Sequence, residues 1–430
     1  MSSVHMIQEQ PLDTQYDIAI AGGGMVGASL ALLLSVYSGR RLKILLVENF
    51  PLKREAHSVP VYSPSFDARA TALSYGSRVI FEACGVWPLL QQHAEPIDSI
   101  HVSQRGKFGS TLMDKSEVEW PALGYVVENT WLGGSLLAAL SQHDNVVFAA
   151  PAAVKAIRPA SGNCELDIDS DGHLHTSACR LVVVADGANS GLRQQLGIAV
   201  RVNDYGRQSL IANVGLANSH GGRAFERFTE QGPLALLPLS DSPSGEPRAA
   251  LVWTLPPERA QELVAADDEI FLAALQQCFG HRLGKLTRVG ERVVYPLKLI
   301  EAEEQLRHRV VVMGNAAHSL HPVAGQGFNL ALRDCAVLTE VLCDAVDQSV
   351  DADIGALALL REYGRRQQSD QHITIGFSDR LPALFASRQW PLSALRGLGL
   401  GMLDIVPALK MPFVRQAAGM FDGAPLGLQR

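Results

Sequence analysis

The chain has six cysteines, Cys84, Cys164, Cys179, Cys278, Cys335 and Cys343, but no C-x-x-C pair, and each sits in an apolar or helical context. A zinc site and a disulfide framework are therefore not expected, and the six read as reduced core thiols. Basic charge is also short: 37 Lys and Arg against 44 Asp and Glu leave a net charge of −7, which argues against nucleic acid as a partner. Internal repeats and low-complexity tracts are absent. The opening segment MSSVHMIQEQPLD lacks the basic and apolar regions of a secretion signal and reads as a loose tail.

One further absence is local. Residues 18–39 carry no charge over 22 positions, long enough for a bilayer span of roughly 20 residues. The glycines exclude that reading: they cluster at one end, the part before them is β-branched, and only about Val26 to Ser38 remains for a helix.

What is present is an ordinary globular composition, 47% hydrophobic and 19% charged over 430 residues, enough for a large core and two or three domains. The stretch YDIAIAGGGMVGASLALLLSVYSG organises it. An apolar strand, Ile18 to Ala21, meets Gly22, Gly24 and Gly27 in the G-x-G-x-x-G spacing of a strand-to-helix turn that receives a dinucleotide pyrophosphate. A second apolar strand, Leu42 to Val47, ends at Glu48, placed to accept hydrogen bonds from an adenosine ribose. GLGLG at 397–401 follows no strand and has no acidic partner, so it reads as helix packing rather than a second dinucleotide site.

Along the chain, a proline-rich loop leads through Asp67 and Arg69 into an amphipathic helix, Ile97 to Leu112 alternate like a strand, and VVENTWLGGSLLAAL reads as a helix. A hairpin follows, with its turn at Asp171-Gly172, then a buried strand, Leu181 to Val184, ending in Asp186-Gly187. Residues 201–304 alternate between Gly/Pro/Ser stretches, as an antiparallel sheet inserted into the first domain and covered by a helix near Asp268 to Phe279. A further strand, Val310 to Met313, runs into Gly314-Asn315, a loop with Gly325 and Gly327, and a long helix beginning near Phe328 whose N-terminus favours an anion. His318 and His321 are spaced i, i+3 without an evident third ligand, so no metal is expected.

Three of these motifs, in this order, resemble the group A flavoprotein monooxygenases, aromatic hydroxylases with a p-hydroxybenzoate-hydroxylase-like fold. They are the Gly22–Gly27 turn, the Asp186-Gly187 strand end and the Gly314–Asn329 loop. Within that family DARATALS, GRAFERFTEQGPLALLPLS and GNAAHSLHPVAGQGFNLALRD resemble the ubiquinone-biosynthesis branch. The resemblance implies a mixed α/β fold: a Rossmann-type FAD domain (14–75, 125–200, 305–350), an inserted antiparallel-sheet substrate domain (76–124, 201–304) and a helical C-terminal region (351–430). It implies that Gly22, Gly24, Gly27 and Glu48 hold the ADP half of FAD, that Arg69 and Asn129 lie along it, and that Asp186 and Gly187 serve the pyrophosphate region. Gly314, Asn315, Pro322, Gly325, Gly327 and Asn329 would surround the ribityl chain and flavin ring.

Where much of the family has Gly-Asp, this chain has Gly314-Asn315; Asn keeps an acceptor for a ribityl hydroxyl but loses the charge. The implied reaction is hydroxylation of 2-polyprenyl-6-methoxyphenol by NAD(P)H and O2 through a flavin C4a-hydroperoxide. No acid-base residue is essential to that scheme, though His318 is a candidate for assisting phenol deprotonation. A sibling hydroxylase acting on another ring carbon, a non-quinone aromatic hydroxylase and a flavin-binding scaffold remain alternatives. The expected location is cytoplasmic and peripheral to the membrane. From Arg380 onward six Lys and Arg face two Asp in an apolar, proline-interrupted segment, which suits docking of 381–421 on an anionic membrane surface or a sister protein, or a cap over the enzyme's own core.

Overall fold

The computed structural model describes residues 12, 14–51, 69–106, 110–320, 325–386, 411, 414–416 and 418–420. The chain opens with β1 (Gln15–Ala21), α1 (Met25–Tyr37) and β2 (Ile44–Val47). Then come β3 (Ala70–Ser74), α2 (Tyr75–Ala83), α3 (Trp87–Leu90), β4 (Ala94–Ile97), β5 (Ser99–Gln104), β6 (Ser110–Asp114) and β7 (Gly124–Glu128). Next follow α4 (Asn129–Leu140), β8 (Val146–Ala149), β9 (Ala153–Pro159), β10 (Cys164–Ser170), β11 (His173–Val184) and α5 (Gly191–Gln195). The inserted part holds β12 (Val200–Leu216), β13 (Arg223–Phe228), β14 (Pro233–Leu239), β15 (Arg248–Leu255), α6 (Pro257–Ala265), α7 (Asp268–Phe279), β16 (Leu286–Val289) and β17 (Val293–Ala302). The chain returns through β18 (Leu306–Arg307), β19 (Val310–Val312) and β20 (His318–Ser319) to α8 (Gln326–Gln348) and α9 (Leu357–Ala386).

The first sheet runs β19-β11-β1-β2-β8 with every pair parallel. Its strands are continuous apolar runs because both faces are covered, one by helices α1, α4 and α8 and the other by β9, β10 and α5. α1 is apolar all round for the same reason: Gly27 to Ser35 are all buried, between the sheet and the helices α4 and α8. At 13 residues it is about 20 Å long, and among the described residues no helix is long and apolar enough to cross a membrane.

The second sheet has the order β20-β17-β12-β15-β14-β13-β5-β6, with β16 on β12. Its outer face is a separate core, where Leu210, Leu234, Leu236, Leu251 and Trp253 meet Phe271 and Phe279 of α7. A three-stranded sheet, β3-β7-β4, lies between the two large ones.

Several local expectations differ. Within DARATALS, Ala70 to Ser74 are not loop but form β3, paired with β7. Val126 to Glu128 belong to β7, and the helix starts only at Asn129, because Glu128 is held extended (φ −64°, ψ 135°). The run from Ile97 to Leu112 is not one strand: Ile97 ends β4, and β5 and β6 then form a hairpin with Gly106 at φ +69° after β5. Residues 76–97, expected with the second sheet, instead place Ile80, Phe81, Trp87 and Leu90 in the core shared with α1 and α8.

All six cysteines are buried. Burial pushes the thiols of Cys84 and Cys343 up to about 12, which suppresses the reactive thiolate.

Candidate functional site

The parallel strands end along one line. Ala21 is level with Val184 and with Val47, and Val184 with Val312, so Gly22, Glu48, Asp186 and Gly314 emerge side by side at the carboxyl edge. From β1 the chain goes to β2 and β8 on one side and returns to β11 on the other, which makes this edge the topological switch point where open α/β sheets bind ligands.

The glycines of the first turn differ in cause. Gly22 sits at φ +112°, and a Cβ there would lie 2.4 Å from the Ala185 carbonyl oxygen; one on Gly27 would lie 1.9 Å from that of Gly22. Both are demanded by the protein's own packing. Gly24 is not: its backbone is extended (φ −64°, ψ −176°) and a Cβ would meet nothing within 4 Å. The room it leaves opens in front of α1, whose N-terminus has no side-chain cap. Open space at an uncapped helix N-terminus is what a pyrophosphate needs, so these residues fit a dinucleotide cofactor.

Glu48 accepts the Gly23 N–H at 2.7 Å through Oε2 and the Phe50 N–H at 3.0 Å through Oε1. It thereby holds the glycine turn, and its carboxylate retains further lone pairs for a ribose hydroxyl. Asp186 is exposed and accepts the Leu192 N–H at 3.3 Å, and Gly187 turns the chain at φ +93°. A residue without an assigned role in the sequence ties two of these loops together: the buried guanidinium of Arg193 donates to the Ala316 carbonyl at 2.7 Å. Gly314, at φ +61°, backs onto Val26 of α1, and Asn315 is exposed beside it.

Asn129 and Arg69 are neighbours. The Asn129 N–H donates to the Arg69 carbonyl at 2.7 Å, and Thr71 Oγ1 donates to Asn129 Oδ1 at 2.6 Å. Arg69 reaches across to the second sheet, donating to the Tyr295 hydroxyl at 2.8 Å. Gly325 (φ +61°) packs against Ala72, while at Gly327 a Cβ would meet only Leu320 Cβ, at 4.0 Å. Pro322 and His321 lie outside the described residues.

Asn329 works differently from the expectation that it touches the cofactor. Its Oδ1 accepts from the Ser74 N–H (2.8 Å) and Ser77 Oγ (2.7 Å), and its Nδ2 donates to the carbonyls of Ala72 (2.9 Å) and Gly325 (2.8 Å). The buried amide is fully engaged, and it clamps the first turn of α8 to β3 and α2. Asn329→Leu is expected to lower stability by about 3 kcal/mol, since each buried partner left unmet costs about 1–3 kcal/mol, and to reduce flavin retention on gel filtration.

His318 is also reassigned. Its Nε2 lies 2.8 Å from Asp334 Oδ2, both side chains are 1% exposed, and Asp334 Oδ1 accepts from Gln371 Nε2 at 2.9 Å. This is the setting of a packing histidine under α8, and the expectation that it deprotonates a phenol is set aside.

Residues 15–354 match the family model described as FAD binding domain. Over 413 residues the chain is 34% identical to ubiquinone hydroxylase UbiL of Rhodospirillum rubrum, covering 96% of this chain and 92% of the relative. It is 31% identical to 3-demethoxyubiquinol 3-hydroxylase of Escherichia coli, covering 94% and 98%. The fold matches that of p-nitrophenol 4-monooxygenase PnpA from Pseudomonas putida with a TM-score of 0.74 at 16% identity, over 94% of this chain and 99% of that one. With a switch-point edge shaped for a dinucleotide and these relatives over nearly its whole length, the chain belongs to the FAD-dependent hydroxylases of ubiquinone biosynthesis.

Proposed function

We propose that the protein hydroxylates the aromatic ring of a polyprenyl phenol, 2-polyprenyl-6-methoxyphenol, consuming NAD(P)H and O2. The observation that carries this reading is the pairing of the cofactor edge with the second sheet, linked by Arg69 and Tyr295. FAD supplies the redox and oxygen chemistry when bound. The chain's own contribution is binding and enclosure. Gly22 to Gly27 and Glu48 hold the ADP half, Asp186 and Gly314-Asn315 border the pyrophosphate and ribityl path, and Arg69 and Asn129 lie along the cofactor. The face of the second sheet that carries Tyr295 keeps water from the ring substrate.

A prenyl tail of about forty carbons, at about 0.8 kcal/mol per CH2, would cost on the order of 30 kcal/mol in water. It must stay in lipid or a protein groove, and docking of 381–421 on an anionic membrane is the proposed solution. Most of that segment lies outside the described residues. Val414 and Ala418 are buried, and the Ala418 carbonyl accepts from the Gly76 N–H at 2.8 Å, so docking falls to the rest of the segment.

A second reading, a sibling hydroxylase acting on another ring carbon, is favoured by the kinship to the 3-hydroxylase of E. coli. The test is the mass and substitution pattern of the prenylated phenol that accumulates in cells lacking this gene. Accumulated 2-polyprenyl-6-methoxyphenol with ubiquinone lost supports the proposal. A differently substituted ring moves the activity to the sibling step, and unchanged ubiquinone removes the pathway.

A further inference from the structure

The inner face of the second sheet holds one carboxyl with no evident reason to be there. Alternation along β13 sends Phe225 and Arg227 to the outer face, where Phe225 stacks edge-on against Phe279 at 5.4 Å and Arg227 donates to the Cys278 carbonyl at 3.2 Å. Ala224, Glu226 and Phe228 therefore point the other way.

Strand register places Glu226 on that inner face. Val102 of β5 and Ala235 of β14 lie opposite Glu226, and the same row continues through Val252, Ile211 and Val293. The row on one side, Ile100, Ala224, Leu237 and Ala250, packs onto the three-stranded sheet with Ile97 and Val126. The row on the other side ends at Tyr295, whose hydroxyl meets Arg69. Glu226 thus lies beside the seam that joins the sheet to the cofactor half, on the face whose far strand carries Tyr295.

A carboxyl in such a place ordinarily has a partner, because an unpaired one is costly in apolar surroundings. Among the described residues this one has none: Val102 and its neighbours Ile100 and Gln104 on β5, Ala235, Pro233 and Leu237 on β14, and Ala224 and Phe228 on its own strand are all uncharged. Desolvation alone pushes its pKa up to about 7. The surroundings desolvate the carboxyl while the residue keeps some accessible surface.

Resting on the function proposed above, we propose that Glu226 is a catalytic residue that engages the phenolic hydroxyl of the ring substrate and takes its proton. As the ring carbon bonds to one oxygen atom of O2, the O–O bond breaks and the second atom leaves as water, reduced at the expense of NAD(P)H; the phenol O–H bond breaks, its electron pair moves into the ring, and the proton goes to the Glu226 carboxylate. When that ring carbon loses its own proton to water and aromaticity returns, Glu226 gives the proton back to the phenol oxygen. The carboxyl ends unchanged, and NAD(P)H and O2 account for the electrons and the oxygen.

The test uses the FAD-loaded enzyme, a short-tailed probe, 2-prenyl-6-methoxyphenol, and the variants Glu226→Gln and Glu226→Asp. E226Q is expected to keep its FAD and its melting temperature and to lose about 100-fold in hydroxylated product, while NAD(P)H oxidation continues as peroxide release. The wild-type product rate is expected to rise with pH through a limb near 7, since the carboxylate must be ionised to accept the proton; that limb is absent in E226Q and partly restored in E226D. Binding is read separately from the change in flavin absorbance on titration with the phenol. A wild-type rate and an unchanged limb in E226Q overturn the proposal, as does loss of FAD from E226Q, which would make Glu226 a support of the cofactor. If wild type binds the phenol without hydroxylating it, the proposed function fails, and Glu226 is judged by whether E226Q weakens that binding. If wild type does neither, both proposals are overturned.

Discussion

Gly24→Asp is expected to give a folded but colourless protein. A side chain at Gly24 meets nothing within 4 Å and the backbone there is extended, so the substitution introduces no strain. Aspartate at the start of α1 would even cap the helix, with a gain of a few tenths of a kcal/mol over glycine. It would also put a negative charge where the cofactor's pyrophosphate must lie. Like charges so placed cost several kcal/mol, and a loss of ~3 kcal/mol is about 100-fold in affinity. The contrasting variant is Gly27→Val, whose Cβ would lie 1.9 Å from the Gly22 carbonyl oxygen. That one is expected to displace α1 from β1 and to yield insoluble or unfolded chain. Circular dichroism and the flavin absorbance of the purified proteins separate the two; a yellow Gly24→Asp protein would show that the open space at Gly24 is not the pyrophosphate's.

Arg248→Met is expected to destabilise the fold by about 3–5 kcal/mol, the usual cost of stranding one partner of a buried ion pair. Arg248 and Glu128 are 0% and 1% exposed and 3.0 Å apart. Arg248 also donates to the Ser240 carbonyl at 2.8 Å. The pair joins β15 of the second sheet to the end of β7, one residue before Asn129. Its loss should therefore lower flavin retention as well as the denaturant midpoint. The double variant Arg248→Met, Glu128→Leu should recover much of the stability, because no charge is then left buried alone. A midpoint unchanged in the single variant would contradict the pair's structural role.

The parts of this fold legible in the sequence are those written locally. Strand, glycine turn and helix follow one another within residues 15–37, and the strand ends at Glu48, Asp186 and Gly314 each close an apolar run. The parts missed depend on partners far along the chain. Ala70 to Ser74 look like loop until paired with β7, and Asn329 reads as a ligand contact until its amide is seen to meet Ser74, 255 residues away. Arg248 and Glu128 are 120 residues apart, Arg69 and Tyr295 226 apart, and nothing in either neighbourhood announces the other. In RAFERF both alternating sets mix aromatic with charge, so the pattern cannot say which side is inner; only α7, packed on Phe225, decides that Glu226 faces the cofactor half. The charge-free 18–39 stretch resolves by length, since its helix is 13 residues and its apolar surface is covered by protein.

The most direct test of the central claim is turnover of the FAD-loaded enzyme with NAD(P)H, a polyprenyl phenol and isotopically labelled dioxygen, followed by mass spectrometry of the ring product. Phenol-dependent NAD(P)H oxidation with one labelled oxygen atom in the product ring is the predicted result. Oxidation indifferent to the phenol, or a product whose new oxygen comes from water, would contradict it.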